Sequence, residues 1–147
     1  QVCTHSWDHA SGSGQGVNLS FMSRDEQRDE IVRGMQAIAD ATGKDASKVM
    51  RAPGGNFPLE VWQNLEDIIV ADIGWDIDTL DWKRPGASAV ANQLKNATPG
   101  DIILMHDGGG DRSQTVEALR IALPYLKEQG FSFITIDEMM QYPVKEQ

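Results

Sequence analysis

The 147-residue chain is short of several things, and each shortage narrows what it can be. It has one cysteine, Cys3, so it can form no internal disulfide, and cysteine usage does not fix its redox compartment. No apolar run approaches the ~20 residues that a membrane-crossing helix needs. Basic side chains are the minority, 13 Lys and Arg against 22 Asp and Glu, which leaves a net charge of −9. That balance argues against nucleic acid as a partner, because phosphate backbones want basic patches. It suits a neutral or cationic ligand such as a polysaccharide. There is no initiator Met and no signal peptide in view: the chain opens Gln1-Val2-Cys3-Thr4-His5, as though it begins in mid-domain. Histidine is scarce too, with three in all.

What is present is the composition of a globular domain with a real core, 40% hydrophobic and 24% charged, with four Trp. Residues 10 to 18 read as a flexible surface loop rich in Gly and Ser. Ser23-Arg24-Asp25-Glu26 has capping-box spacing, Ile31, Met35 and Ile38 recur at helical spacing, and Thr42-Gly43 ends that run. Val49-Met50 reads as a short strand that breaks at Pro53-Gly54-Gly55. Pro58 opens a second helix with Leu59, Trp62 and Leu65 on one face. Residues 68 to 77 are apolar and β-branched and predict a buried strand. A third helix is expected over residues 87 to 97, with Val90 and Leu94 inward, and a strand over 101 to 105. A fourth helix is expected over 113 to 129, with Val116, Leu119, Leu123 and Leu126 on its core face and a kink or break at Pro124. Gly130 ends it, and a last strand is expected over 131 to 136. Helix and strand alternate throughout, which implies one α/β domain, or part of one, with a mostly parallel sheet, open or closed into a barrel.

Four stretches can carry chemistry. His5-Ser6-Trp7-Asp8-His9 places two imidazoles four residues apart, where a helix or tight turn aims both at one metal ion; two surface histidines spaced by chance are the bland alternative. Arg51-Ala52-Pro53-Gly54-Gly55 is an Arg at a strand end and a tight turn whose backbone N–H groups can hold an oxyanion, or an ordinary strand-to-helix turn. Trp75-Asp76-Ile77-Asp78-Thr79-Leu80-Asp81-Trp82 gathers three acids and two indoles. Its carboxylates can orient a histidine and Trp82 can stack on a sugar, while Trp75 reads as core. His106 ends the apolar run 102 to 105; a lone His there is more often a hydrogen-bonded core residue, but the strand's carboxyl end, Asp107 and three glycines favour a general acid role.

Together, in order and spacing, these motifs resemble the polysaccharide deacetylase family, the NodB-homology domain of carbohydrate esterase family 4. The resemblance runs from His5 through the last strand. It implies a barrel-like (β/α) fold, a distorted barrel of mostly parallel strands with outer helices. It implies that His5 and His9 are ligands of a divalent metal, most naturally zinc. Arg51 would hold a catalytic aspartate, and the Gly54 N–H would face the oxyanion. Asp81, in the Asp78-x-x-Asp81-Trp82 motif, would hydrogen-bond the catalytic His106. Trp82 would wall the groove, and Leu104 would line the acetyl pocket. The implied reaction is removal of N- or O-acetyl groups from peptidoglycan, chitin-type polymer or xylan, by a secreted or cell-surface enzyme.

The chain departs from the family pattern in three places. Ala52 replaces a proline, and Gly54 replaces an aromatic that would form one side of the groove. The Thr-Phe-Asp-Asp-Gly strand that supplies the family's base and third metal ligand is absent from these residues. The expectation is therefore the carboxyl-terminal two-thirds of a deacetylase domain, its amino-terminal segment lost by truncation or supplied as a separate chain. Two other classes stay open: a carbohydrate-binding or scaffold remnant without catalysis, and an unrelated metallohydrolase using Asp8 or Asp107 as third ligand.

Overall fold

Among the described residues every strand pairing is parallel, as expected where helices cross over between strands. The computed structural model describes residues 1–9, 11 and 18–143, so most of the expected loop over 10 to 18 lies outside the described residues. The chain divides into two units, Gln1–Gly74 with Thr135–Gln147, and Trp75–Ile134. Among the described residues no helix is long and apolar enough to cross a membrane.

The first unit is a three-stranded sheet in the order β1 (Cys3–Thr4), β2 (Ser47–Met50), β3 (Ala71–Asp72). Helix α1 spans Arg24–Thr42. Its capping box is complete: the Ser23 hydroxyl accepts the Glu26 N–H, and the Glu26 carboxylate accepts the Ser23 N–H at 2.8 Å. Gly43 stops the helix at φ 68°, a left-handed conformation that glycine adopts at little cost. Helix α2 (Leu59–Leu65) follows Pro58 and is tied to α1 by the bidentate Arg28–Asp67 pair, at 2.6 and 2.9 Å. Leu19, Ile31, Met50, Ala52, Val61, Leu65 and Ile69 form the core.

The expected inward face of α2 is half right. Leu65 is buried and Trp62 packs against the core, but the other buried residue of this helix is Val61, and Leu59 is 70% exposed. The expected strand over 68 to 77 is also corrected. Its first part forms β3, which pairs with β2, and its last part forms β4 (Ile77–Asp78), which pairs with β5 (Ile103–Leu104). Gly74 and Trp75 lie between two ladders with different partners, so no single strand can run through.

The second unit holds the β4–β5 pair and helices α3 (Ala87–Leu94) and α4 (Ser113–Glu128). Val90, Ala91 and Leu94 of α3 meet Ala118 and Ala122 of α4 in a second core. Strand β5 is shorter than expected because its approach is committed elsewhere. The Asp101 carboxylate accepts the Thr98 N–H at 2.7 Å, and the Asp76 carboxylate takes the Ile102 N–H at 2.8 Å. On α4 the inward stripe is Thr115, Ala118, Ala122 and Leu126, so Val116 faces solvent rather than core. Pro124 does not divide this helix, which runs unbroken past it.

The expected strand over 131 to 136 does not form. Thr135-Ile136-Asp137-Glu138 is instead a second capping box, with the Thr135 N–H on the Glu138 carboxylate at 2.7 Å, and it starts helix α5 (Ile136–Met139). The Gln1 side chain fastens α5 to the first unit through Asp137, at 2.7 Å.

Candidate active site

The His5–His9 segment leaves the end of β1 and turns without forming a helix. Ser6 (φ 63°) and His9 (φ 53°) both take left-handed backbone, which is uncommon for residues with a side chain. Both imidazoles are exposed, with ring centroids 5.0 Å apart and planes at 70°. His5 Nδ1 lies 2.7 Å from the Arg51 carbonyl oxygen. A carbonyl only accepts, so Nδ1 carries a proton; in the neutral ring this is the tautomer with its lone pair on Nε2, the one a metal ligand needs. Below the segment, the Glu30 carboxylate on α1 accepts the N–H groups of Trp7 and Asp8 at 3.1 and 3.0 Å.

Arg51 follows β2. Its Nε donates to the Ile73 carbonyl at 3.0 Å and its Nη2 to the Gly74 carbonyl at 3.2 Å. Asp72, at the end of β3, accepts the Ala52 N–H at 2.7 Å. Burial pushes the Asp72 carboxyl above the usual range, and the Ala52 N–H with the charges of Arg51 and His5 offsets this only in part. Gly54 sits exposed in the turn after Arg51 at φ 69°, a conformation that strains any residue carrying a Cβ. This is a backbone reason why an aromatic residue does not fit here unchanged.

In the second unit, Asp81 is 1% exposed and held from three directions. His106 Nδ1 lies 2.7 Å from Oδ1, the His106 N–H donates to Oδ2 at 2.9 Å, and the Thr115 hydroxyl donates to Oδ2 at 2.8 Å. Burial raises the Asp81 carboxyl, but these donors together outweigh it and hold it below the ordinary aspartate range. Asp81 reaches this place because Leu80 (φ 51°) and Arg84 (φ 56°) are both left-handed, folding Asp81–Lys83 into a single tight turn. Nδ1 of His106 is engaged with Asp81, which leaves Nε2 for other partners. Leu104 lies in β5, its carbonyl accepting the Thr79 hydroxyl at 2.9 Å. The Trp82 ring is 49% exposed, with the Lys83 ammonium 5.0 Å from its centroid. Trp75 is half-buried rather than fully in the core.

The donor chemistry of the His pair fits two ligands of a zinc-type ion. Among the described residues, no three His, Cys, Asp or Glu side chains gather as a complete metal site. Sequence reading missed Glu30, Asp72 and Thr115. Glu30 carried a visible signal, since it shares the inward stripe of α1 with Gln27, Ile31 and Gly34.

Comparison with known proteins places the chain in a family. The polysaccharide deacetylase family matches residues 1–70. A peptidoglycan-N-acetylglucosamine deacetylase of Bacillus cereus is 42% identical over 97 residues, which is 64% of this chain and 46% of that protein. A chitooligosaccharide deacetylase of a Bradyrhizobium species is 30% identical over 151 residues, 95% of this chain and 66% of that one. The crystal structure of a family 4 carbohydrate esterase pseudoenzyme from Bacillus anthracis superposes at a TM-score of 0.80 and 32% identity, over 96% of this chain and 46% of that one. The fold is thus that of the family 4 carbohydrate esterases. The chain belongs to the polysaccharide deacetylase family. It spans less than half the length of the Bacillus cereus relative.

Proposed function

We propose that this chain is part of a metal-dependent polysaccharide deacetylase that hydrolyses N-acetyl groups on a cell-wall or chitin-type glycan outside the cell. The observation that carries the reading is the buried Asp81 bound to His106 Nδ1 at 2.7 Å. Such a carboxylate stabilises the imidazolium, so that Nε2 can protonate the departing amine as the C–N bond breaks. His5 and His9 would hold a divalent ion, zinc by ligand type. When bound, that ion supplies Lewis-acid polarisation of the acetyl carbonyl and a water of lowered pKa. The Gly54 N–H would donate to the oxyanion, an interaction typically worth about 3 kcal/mol of barrier. Leu104 would line the acetyl pocket and Trp82 would stack on the sugar. Arg51 would orient an aspartate base contributed by the domain's amino-terminal segment.

The names of the relatives support N-acetylglucosamine polymers as substrate class. A second reading, a carbohydrate-binding scaffold without catalysis, is favoured by two observations: the pseudoenzyme among the structural neighbours and the lack of a third ligand among the described residues. Acetate release from acetylated chito-oligosaccharide and peptidoglycan by the full-length protein separates the two. For His106→Ala, kcat should fall by about 10²–10⁴ with KM little changed. Near-normal turnover in that variant removes His106 from the chemistry. Absence of acetate release in the wild type, with glycan binding retained, leaves the scaffold reading.

A further inference from the structure

We infer that Glu30 is a positioning residue for the His5–His9 pair, and that the α1 surface around it is shaped to set the two rings. Glu30 is 6% exposed, yet its carboxylate accepts two consecutive backbone N–H groups, of Trp7 and Asp8. Those residues lie between the two histidines. Whatever fixes their amides fixes the backbone path from which the two rings project, 5.0 Å apart and tilted at 70°. The left-handed backbone at Ser6 and His9 is sparsely populated for residues with a Cβ, so it persists only where the surroundings hold it.

Two neighbours on the same helix complete the support. At Gly34, one turn along from Glu30, an added Cβ would collide with Thr4 Oγ1 and lie 3.2 Å from the Ser6 carbonyl oxygen. The backbone of the His segment can reach α1 only because residue 34 has no side chain. At Arg33 the guanidinium carbon lies 4.6 Å from the centroid of the Trp7 ring. Positions 30, 33 and 34 share one helix face, and that face meets residues 4 to 8. Glu30 therefore acts through the ligands and not on the substrate, and its bearing on metal binding rests on the metal reading above.

The test uses the full-length protein with Glu30→Ala, Glu30→Gln and Gly34→Ala. It reads zinc affinity by chelator competition, the cobalt(II) absorption spectrum, and the ring-nitrogen NMR shifts of His5 and His9 without metal. Glu30→Ala should weaken zinc about 10–100-fold, the usual cost of losing a group that orients a ligand. It should also move the ring-nitrogen shifts of His5 and His9 as the backbone between them relaxes. Glu30→Gln keeps an oxygen that can accept both amides and should restore zinc affinity to within a few-fold of wild type. Gly34→Ala should reproduce the alanine effect and remains informative if Glu30→Ala does not fold. A folded Glu30→Ala with wild-type zinc affinity and unchanged imidazole shifts overturns the inference, as does a Glu30→Gln as impaired as the alanine. A wild type with one fixed His5 tautomer but no metal uptake removes the metal reading instead, while the NMR comparison still decides the role of Glu30.

Discussion

Asp81 shows how one buried carboxylate can be both structural and chemical. Its Oδ2 takes the His106 N–H and the Thr115 hydroxyl, and its Oδ1 faces the imidazole. Thr115→Val keeps the shape of the side chain and removes one donor to a charge. It should cost on the order of 1–3 kcal/mol, seen as a lower Tm, and Thr115→Ser should recover most of the loss. The depressed Asp81 carboxyl also has a pH signature. Its folded pKa lies below the unfolded value of about 3.9, so its contribution is complete at neutral pH and disappears only as pH falls below ~4. Asp81→Asn should therefore lose less stability between pH 5 and 3 than the wild type does. Asp72 has the opposite sign, because burial raises its carboxyl. Stability should fall as pH rises from ~4 through the raised value. Asp72→Asn, which keeps an oxygen for the Ala52 N–H, should melt above wild type at pH 7, with the gap closing near pH 4. His106 and Asp81, which the structure brings together, stood out in the sequence because there are only three histidines and Asp81 sits in a dense acidic and aromatic stretch. Thr115 did not. A threonine on a helix becomes a donor to Asp81 only once the rotation of α4 and the turn at Asp81 are both known.

At the scale of elements, caps were the reliable signal and apolar runs were not. Ser23 with Glu26 and the left-handed Gly43 place both ends of α1 from local chemistry alone. The run over 68 to 77 looks continuous because its residues are apolar, but strand partners decide where a ladder exists, and they lie far away in sequence. The same limit hid α5. The β-branched residues over 131 to 136 predict a strand, yet Thr135 and Glu138 close a capping box that wins locally. On α4 the expected stripe is only partly right: Leu126 is buried and Leu119 packs against the core, but Val116 is exposed and the fully buried residues in the cluster shared with α3 are Ala118 and Ala122. Small residues there let the two helices approach closely. Ala118→Leu or Ala122→Leu should thus overpack the contact and destabilise by about 1–3 kcal/mol, measured by denaturant unfolding. Val116→Ala on the exposed side should change stability by less than ~0.5 kcal/mol.

For the whole molecule, global stability can test the proposed metal site without any turnover. A ligand that binds only the native state raises unfolding free energy by RT ln(1 + [L]/Kd), about 2.7 kcal/mol at a hundredfold excess over Kd. In a chain of this size, 147 residues, each kcal/mol corresponds to a Tm shift of about 2–4 °C. Zinc should therefore raise Tm by several degrees and a chelator should reverse the rise. His5 and His9 are the imidazole pair, so His5→Ala or His9→Ala should abolish the shift. His106 is bound to Asp81, so His106→Ala should keep the shift even as the turnover expected of the proposed enzyme falls. Metal that coats acidic surface, plausible at a net charge of −9, would stabilise all four proteins alike. A zinc shift that survives both His5→Ala and His9→Ala thus assigns the ion to the surface and removes the pair from the chemistry.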